Sequence, residues 1–171
     1  MSGIVNSTGA ASGIVGNNYA FNAYLSADQE VTTTNRGTTG TKVDFDTVRY
    51  GAAFWSASNQ RLDVPKTGTW QISYGIKTVD SSYWVAYFFK VSGSAINQGW
   101  TKHEGRCTSR SGGDFAGTQT CTETIYLYQG TYLELWWYNQ VNFTLESSDT
   151  TESSAPTSAQ PTWISGHWTG V

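Results

Sequence analysis

The chain has 171 residues, enough for one ordinary domain and an additional terminal segment. Charged residues make up 13% of it and aromatic residues 15%, and the formal net charge is −3, with a sequence pI near 5.2. Proteins that bind nucleic acid in general are basic, so this charge argues against that class. No stretch approaches the about 20 apolar residues of a membrane-spanning helix, so we expect no membrane insertion.

The first 18 residues, MSGIVNSTGAASGIVGNN, carry no charged side chain and contain the tetrapeptide SGIV twice, at residues 2–5 and 12–15. A secretory signal has a basic start and about 7–15 unbroken apolar residues, a pattern that this segment lacks. Its four glycines disfavour a helix. We therefore predict that residues 1–18 form an extended arm that anchors the protein to another chain. The anchoring side chains would be Ile4, Val5, Ile14 and Val15.

From residue 19 onward, short runs of β-branched and aromatic residues alternate with turn residues, as in all-β domains. The predicted strand segments are 19–26, 41–50, 61–65, 68–79, 82–93 and 123–139. Segment 68–79 alternates large apolar residues with small or polar ones, the pattern of a half-buried antiparallel strand with Lys77 on its polar side. No segment shows sustained helical periodicity. We predict an antiparallel β-sandwich with jelly-roll topology over residues 19–171.

The end of segment 123–139 is apolar on both of its faces. Leu133, Leu135 and Trp137 share one face, and the other face carries Tyr132, Trp136 and Tyr138. One face of an antiparallel sheet is usually solvated, so a second apolar face needs a cover. The chain's own long loops, 103–120 and 146–161, are too polar to provide it. We predict a subunit interface at Tyr132, Trp136 and Tyr138; the alternative is that these rings pack under the chain's own loops.

The two cysteines, Cys107 and Cys121, are 14 residues apart. A structural zinc site usually needs four ligands at close spacing, which this chain does not offer. A disulfide between them would close a loop and contribute about 3 kcal/mol on the chain-entropy model. The alternative is two free thiols, as in a reducing compartment. We predict the disulfide.

No cluster of residues indicates catalysis. His103 stands beside Glu104, but a catalytic triad needs three converging groups, and no Gly-x-Ser-x-Gly sequence occurs. Asp44 and Asp46 are two residues apart, whereas calcium takes several clustered oxygens, so two solvated carboxylates explain them as well. We expect no enzymatic activity, no catalytic residue, no metal and no cofactor.

Residues 100–110 combine an aromatic side chain with three cations: Trp100, Lys102, Arg106 and Arg110. Arginine and lysine both bind anionic groups, so this loop is a candidate site for surface glycan or phosphate. It is equally compatible with a solvated loop, or with one that pairs with the acidic residues of the other long loop. Those residues are Glu146, Asp149 and Glu152.

The order of these segments resembles the globular head of complement component 1q and the tumour-necrosis-factor jelly roll. The matching residues are Ala20, Phe21 and Ala23; Pro65, Gly68 and Trp70; Leu127 and Gly130; and Trp163, Ser165 and Gly166. The resemblance covers about residues 19–171. It implies a jelly roll assembled as a homotrimer around an aromatic-lined three-fold axis, and binding through exposed loops. Thr131 stands where the family commonly has aspartate, so the family's calcium sites are not carried over.

The arm is similar to the amino-terminal segments of small virion proteins of tailed bacteriophages. This second resemblance implies a non-enzymatic structural protein on the virion surface, whose partners are capsid or tail proteins. We predict a capsid decoration protein, of the head-fibre or cement type, with a homotrimeric head. One alternative is a tail-fibre tip or receptor-binding protein that recognises host surface glycan. A second alternative is a secreted complement-like or cytokine-like binding module.

Overall fold

The computed structural model describes residues 19–31, 40–79, 84–96, 104–106, 117–139, 143–147 and 162–170. The predicted arm, with Ile4, Val5, Ile14 and Val15, lies outside the described residues, and its anchoring role stays a prediction. Every regular element in these ranges is a β-strand, which confirms the all-β prediction. Within the same ranges, no helix has the length and hydropathy needed to span a bilayer.

The described ranges contain fourteen strands. In chain order they are β1 (Ala20–Tyr24), β2 (Gln29–Val31), β3 (Thr41–Lys42), β4 (Thr47–Tyr50), β5 (Trp55–Ser56), β6 (Arg61–Asp63), β7 (Gly68–Val79), β8 (Trp84–Val91), β9 (Ser94–Ile96), β10 (Glu104–Arg106), β11 (Gly117–Leu127), β12 (Tyr132–Asn139), β13 (Phe143–Leu145) and β14 (Trp163–Gly170).

The strands form two antiparallel sheets. The first, called here the β7 sheet, has the order β2-β13-β7-β14-β1-β4, and β11 also pairs with β7. The second, the β12 sheet, has the order β10-β8-β12-β6-β5, with β3 paired to β12 and β9 paired to β8. Strands β7 and β11 stay in register over eleven residue pairs, from Gly117 opposite Thr78 to Leu127 opposite Gly68. The result is the predicted antiparallel sandwich, with most sequence neighbours placed in different sheets.

The core lies between the two sheets and is rich in aromatic rings. The largest fully buried side chains include Trp55, Trp70, Trp137, Phe21, Phe45 and Phe89. The ring of Trp55 stacks on that of Phe21 with centroids 5.1 Å apart, and its Nε1 donates to the Phe45 carbonyl at 3.0 Å. Burial of the indole therefore leaves no polar atom unsatisfied. The apolar side of segment 68–79 faces this core, as predicted.

Segment 41–50 differs from the single strand that its sequence predicts. It forms two short strands, β3 and β4, and the Phe45 amide between them donates to the Val43 carbonyl at 3.1 Å. A hydrogen bond between residues two apart makes a tight local turn, which shifts the alternation of side chains. Simple alternation along 41–50 would place Val43 and Phe45 on one face and Val48 on the other, whereas Val43 and Phe45 are buried and Val48 also packs against the core.

The polar loop predicted at residues 103–120 is partly strand. β10 pairs with β8, and β11 begins at Gly117. The sequence Gly-Thr-Gln-Thr at the start of β11 has no apolar pattern, and its pairing with β7 decides its conformation. The short strand β5, at Trp55–Ser56, was not predicted.

Gly166, one of the residues that carried the family resemblance, faces the core of the β7 sheet. A Cβ atom built there would lie 2.5 Å from Ile72 Cδ1 and 2.8 Å from Phe21 Cε1. Glycine therefore leaves the space that these two core side chains occupy. Gly130 serves differently, because it has φ of +83° in the turn between β11 and β12, and no atom lies near its absent Cβ.

Candidate interaction surfaces

Asp44 and Asp46, considered as calcium ligands, have different surroundings. Asp46 accepts hydrogen bonds from the Ser26 amide at 2.9 Å and the Ser26 hydroxyl at 2.5 Å, so it ties the end of β1 to the start of β4. Burial is the main cause that raises the pKa of Asp44 above its ordinary 3.8. Among the described residues, no group of three or more His, Cys, Asp or Glu side chains is arranged to hold a metal ion.

The outward face of the β12 sheet is a network of charges and aromatic rings. Lys90 Nζ lies 3.3 Å from the centroid of the Trp136 ring, a cation–π contact. The indole Nε1 of Trp136 donates to Glu134 Oε2 at 2.9 Å, and Glu134 Oε1 lies 3.3 Å from Lys42 Nζ. Burial lowers the pKa of Lys90 below its ordinary 10.5, and the Glu134 charge opposes this shift.

Tyr132, further along the same face, is covered in the same way. The Arg61 guanidinium lies 4.3 Å above its ring centroid, and Arg61 Nε donates to Asp63 Oδ1 at 2.7 Å. Tyr132 and Trp136 are therefore half-buried under cations from neighbouring strands, a cover that the sequence pattern of β12 does not indicate. The Tyr138 side chain lies outside the described part. The assignment of these three residues to a subunit interface stays a prediction.

The outward face of the β7 sheet has the opposite character. Across β11, β7, β14 and β1, its described side chains are short, polar or aromatic. The central ones are Ala20, Asn22, Thr69, Gln71, Ser73, Thr120, Thr122, Thr124, Ser165 and His167. Lys77 is the one Lys, Arg, Asp or Glu at the described outward positions of these four strands. It is only 5% exposed.

Lys77 is buried because it forms an ion pair. Its Nζ lies 2.8 Å from Glu146 Oε2, and both side chains are nearly inaccessible to solvent. This contact corrects the expectation that Lys77 lies on a solvated side of its strand. Lys77 does not face solvent on its strand, and Glu146, considered as a partner for the basic residues of loop 100–110, pairs with Lys77. The pairing arises because β13 adjoins β7 at Thr78 and Val79, which brings Glu146 beside Lys77.

Exposed aromatic side chains lie at both edges of this uncharged face. The exposed large apolar side chains of the described part are Tyr50 at 51%, Tyr126 at 51% and Tyr128 at 64%. Tyr126 and Tyr128, at the end of β11, pack edge to face with centroids 5.4 Å apart. Tyr50 lies at the other edge, on β4. Exposed aromatic rings beside an uncharged surface are typical of protein interaction sites.

A cleft of about 330 Å³ lies at the Tyr50 edge of the face. It is lined by Tyr19, Ala20, Tyr50, Ser165, Gly166, His167 and Trp168. One wall is held rigidly: Lys66 Nζ lies 4.1 Å from the Trp168 ring centroid, and Trp168 Nε1 donates to the Thr67 carbonyl at 3.2 Å. The rings of Tyr19 and Trp168 meet edge to face with centroids 6.2 Å apart. The sequence pattern offered no signal for this cleft, because three separate segments build it.

The predicted ligand loop falls mostly outside the described residues, which exclude Trp100, Lys102 and Arg110. Arg106 ends β10, where its backbone pairs with Trp84, and its side chain is not among those described. The loop's role in glycan binding stays a prediction.

The predicted disulfide also stays a prediction, since Cys107 lies outside the described ranges. Cys121 sits on β11 directly opposite Tyr74 of β7. Burial first, and then the neighbouring Cys121 side chain, raise the pKa of Tyr74 well above its ordinary value of 10.

No protein-family model matches this sequence, and no curated protein matches it. Among solved structures, the fold is similar to Eiger TNF from S. frugiperda, with a TM-score of 0.57 and 13% sequence identity over 90% of this chain and 93% of that chain. It is also similar to the globular domain of zebrafish complement 1qA protein, with a TM-score of 0.50 and 9% identity over 89% and 97% of the two chains. These likenesses show the fold and confirm the jelly-roll prediction.

Proposed function

We propose that this chain is a non-enzymatic binding module that assembles as a homotrimer. The observation that carries the proposal is the difference between the two outward faces of the sandwich. One face holds its charges in a network of their own. On the other face, the described positions of β11, β7, β14 and β1 carry no exposed charged side chain, and exposed tyrosines lie at the edges. Depletion of charge and enrichment in tyrosine are typical of the buried part of subunit interfaces. The family resemblance described above also implies a trimer.

Analytical ultracentrifugation of the full-length protein tests the oligomeric state. At micromolar concentration we expect a single species with three times the mass of the chain, which is 18.7 kDa. A species with the mass of one chain would contradict the homotrimer. The measurement needs no ligand and no particle, so it is independent of where the protein acts.

The trimer, in this proposal, is displayed on the surface of a tailed-phage virion as a capsid decoration protein. Support comes from the sequence of the arm, with its two Ile-Val pairs and no charge. Burial of one such side chain contributes about 1.5–3 kcal/mol, so four give about 6–12 kcal/mol per chain before ordering costs. Three arms on one trimer add avidity, since the first to dock raises the effective concentration of the others.

A pelleting experiment tests the anchor with the full chain. Virus particles that lack this protein are mixed with the wild type and with a variant in which Ile4, Val5, Ile14 and Val15 are all replaced by serine. We expect the wild type to sediment with the particles and the variant to stay in the supernatant. A matched control replaces Asn6, Thr8, Ala10 and Ala11 with serine and keeps both Ile-Val pairs. Equal sedimentation of all three proteins would contradict the anchoring role.

The two alternative locations share the trimer and differ in what it binds. A tail-fibre tip would bind host cells through residues 100–110, and a secreted module would bind neither particle nor host. Binding of labelled wild-type protein to host cells, lost when Lys102, Arg106 and Arg110 are replaced by serine, would favour the tail-fibre tip over the decoration protein.

A further inference from the structure

We infer that the cleft beside Tyr50 is a docking site for the second Ile-Val pair of the same chain, Ile14 and Val15. In the free protein, before it meets any particle, this pair covers the cleft. The inference goes beyond the proposed function, because it gives the two copies of SGIV different roles. The second copy holds the base of the arm against its own head, which leaves Ile4 and Val5 to make the first contact with a particle.

The arm is attached at the rim of the cleft. Tyr19, which directly follows the arm, is itself one of the residues that line the cleft. Its carbonyl accepts a hydrogen bond from the Trp168 amide at 2.9 Å, and the next residue, Ala20, pairs with His167. Trp168 and His167 also line the cleft. The base of the arm is therefore fixed beside the cleft by the pairing of β1 with β14.

The second Ile-Val pair is within reach of the cleft. Only Gly16, Asn17 and Asn18 separate Val15 from Tyr19. A chain spans at most about 3.3–3.6 Å per residue, so Val15 stays within about 13–14 Å of Tyr19 in any conformation. To lie over the start of β1, the segment before Tyr19 must reverse its direction. Glycine and asparagine are among the residues that dominate turns, so the connecting sequence suits this reversal.

The second pair also reaches the cleft at a lower entropic cost than the first. Val15 is four residues from Tyr19, and Val5 is fourteen residues from it. The probability of closing a loop falls with about the 3/2 power of its length, which favours Val15 over Val5 by about sixfold. The two pairs carry the same side chains, so this difference decides which of them occupies the cleft.

The chemistry of the cleft suits an uncharged, apolar occupant. Its described lining contains no Lys, Arg, Asp or Glu, and three of the lining side chains are the aromatic rings of Tyr19, Tyr50 and Trp168. The indole Nε1 of Trp168 already donates to the Thr67 carbonyl, so it needs no polar partner from the occupant. The arm carries no charged side chain, so its docking removes no charge from water.

The dimensions of the cleft also fit this occupant. Its volume of about 330 Å³ is near the lower limit of pockets that bind small ligands, about 300 Å³, which gives room for one or two aliphatic side chains. Ala20, Ser165 and Gly166 in its lining are small, so the docked segment can approach the strands closely. Tyr50 is 51% exposed, and contact of its ring with Ile14 and Val15 removes apolar surface from water on both sides.

Hydrogen–deuterium exchange of the full-length protein tests the docking. After correction for intrinsic rates, we expect the amides of residues 14–18 to exchange at least tenfold more slowly than those of residues 4–8. Tyr50→Ser removes one wall of the cleft and should abolish this difference. Tyr126→Ser is the matched control, because Tyr126 is also 51% exposed but lies at the opposite edge of the face, and it should leave the difference unchanged.

Circular dichroism checks that both variants keep their β-structure. Equal exchange of the two segments in the wild type would overturn the docking. Protection that persists in Tyr50→Ser, or that is lost equally in both variants, would overturn the assignment to this cleft.

An engineered disulfide identifies the copy that supplies the pair. In a chain with Cys107→Ser and Cys121→Ser, the variant Val15→Cys/Tyr50→Cys is oxidised, treated with an alkylating reagent and run on a non-reducing gel. We expect a product with the mass of one chain, 18.7 kDa, and no labelled thiol. The control Val15→Cys/Ser94→Cys, with its second cysteine at an exposed position of the β12 sheet, should keep both thiols. A cross-linked product of twice the mass would show that a neighbouring copy fills the cleft, and two labelled thiols would show that neither copy does; both results overturn the inference.

The outcomes separate this inference from the proposed function. Both measurements use the free protein, so they require no particle. If the pelleting experiment fails while residues 14–18 are protected, the anchoring role is overturned and the docking stands. If those residues are unprotected while the protein sediments as a trimer and binds particles, only the docking is overturned.

Discussion

Lys77 holds together the residues on either side of segment 148–161. Its carbonyl accepts a hydrogen bond from the Glu146 amide at 3.0 Å, its amide donates to Thr162 Oγ1 at 3.2 Å, and its ammonium pairs with the Glu146 carboxylate at 2.8 Å. The side chains of Lys77 and Glu146 are 7% and 4% exposed, so water screens this pair very little. Loss of one partner would leave the other as an uncompensated buried charge.

We therefore predict that Lys77→Met or Glu146→Gln lowers the free energy of unfolding by about 3–5 kcal/mol. The double variant Lys77→Met/Glu146→Leu should recover much of this loss, because neither charge remains. Urea denaturation at neutral pH measures all three. The exposed pair Arg61–Asp63, with side chains 30% and 52% exposed, is the matched control, and Asp63→Asn should lower the free energy of unfolding by less than about 1 kcal/mol. A similar loss at both pairs would contradict the buried role of Lys77.

A second prediction at the scale of single residues concerns the packing around Gly166. An alanine methyl group would lie 2.5 Å from Ile72 Cδ1, inside a close-packed core, so Gly166→Ala should cost about 1–3 kcal/mol. Ile72→Val removes that Cδ1 atom and should reduce the cost of the alanine. The double-mutant cycle, measured by urea denaturation, is expected to show favourable coupling. Strictly additive losses would mean that Phe21, 2.8 Å from the same point, sets the limit instead.

At the scale of elements, β12 depends on its neighbours for the state of its outward face. Lys90 comes from β8, Lys42 from β3 and Arg61 from β6, and each pairs with β12 in the same sheet. Their cationic groups lie over or beside the side chains of β12. A strand that reads as apolar on both faces is thus covered by long cationic side chains of its own sheet, whose stems pack on aromatic surface while their charged ends stay near water.

The disulfide prediction concerns β11. If Cys107 and Cys121 form a disulfide, mass spectrometry of the unreduced protein should find no thiol that an alkylating reagent can label. Reduction should lower the stability by about 3 kcal/mol and leave the fold intact, because the aromatic core does not depend on the bond. Labelling of two cysteines per chain under native conditions would contradict the prediction. The variant Cys107→Ser is the control that fixes the mass shift of a single thiol.

At the scale of the whole molecule, trimer formation should be visible in stability. A folded chain that assembles is stabilised by mass action, so the unfolding temperature of the wild type should rise with protein concentration. The double variant Tyr126→Arg/Tyr128→Arg should unfold at the same temperature at every concentration. Scanning calorimetry at several concentrations measures both. A wild type whose unfolding temperature does not change with concentration would contradict assembly in that range.

The sequence alone determined the all-β class, the core-facing side of β7 and the jelly-roll resemblance. These features are local, since alternation with a period of two and turn residues are properties of short segments. The buried residues Phe21, Trp70 and Ile72 could be read in this way. The split of segment 41–50 could not, because the bond from Phe45 to Val43 follows no side-chain pattern.

Only the tertiary structure decided which face of the sandwich is charged. The cover over Trp136 depends on the register that sets Lys90 and Lys42 beside it, and the burial of Lys77 depends on the pairing of β13 with β7. The uncharged face and its cleft likewise join residues up to about 150 positions apart in the chain, such as Tyr19 and Trp168. Strand pairing brings such residues together through contacts at long sequence separation. The residue pattern of one strand does not indicate which other strands will lie beside it in the sheet.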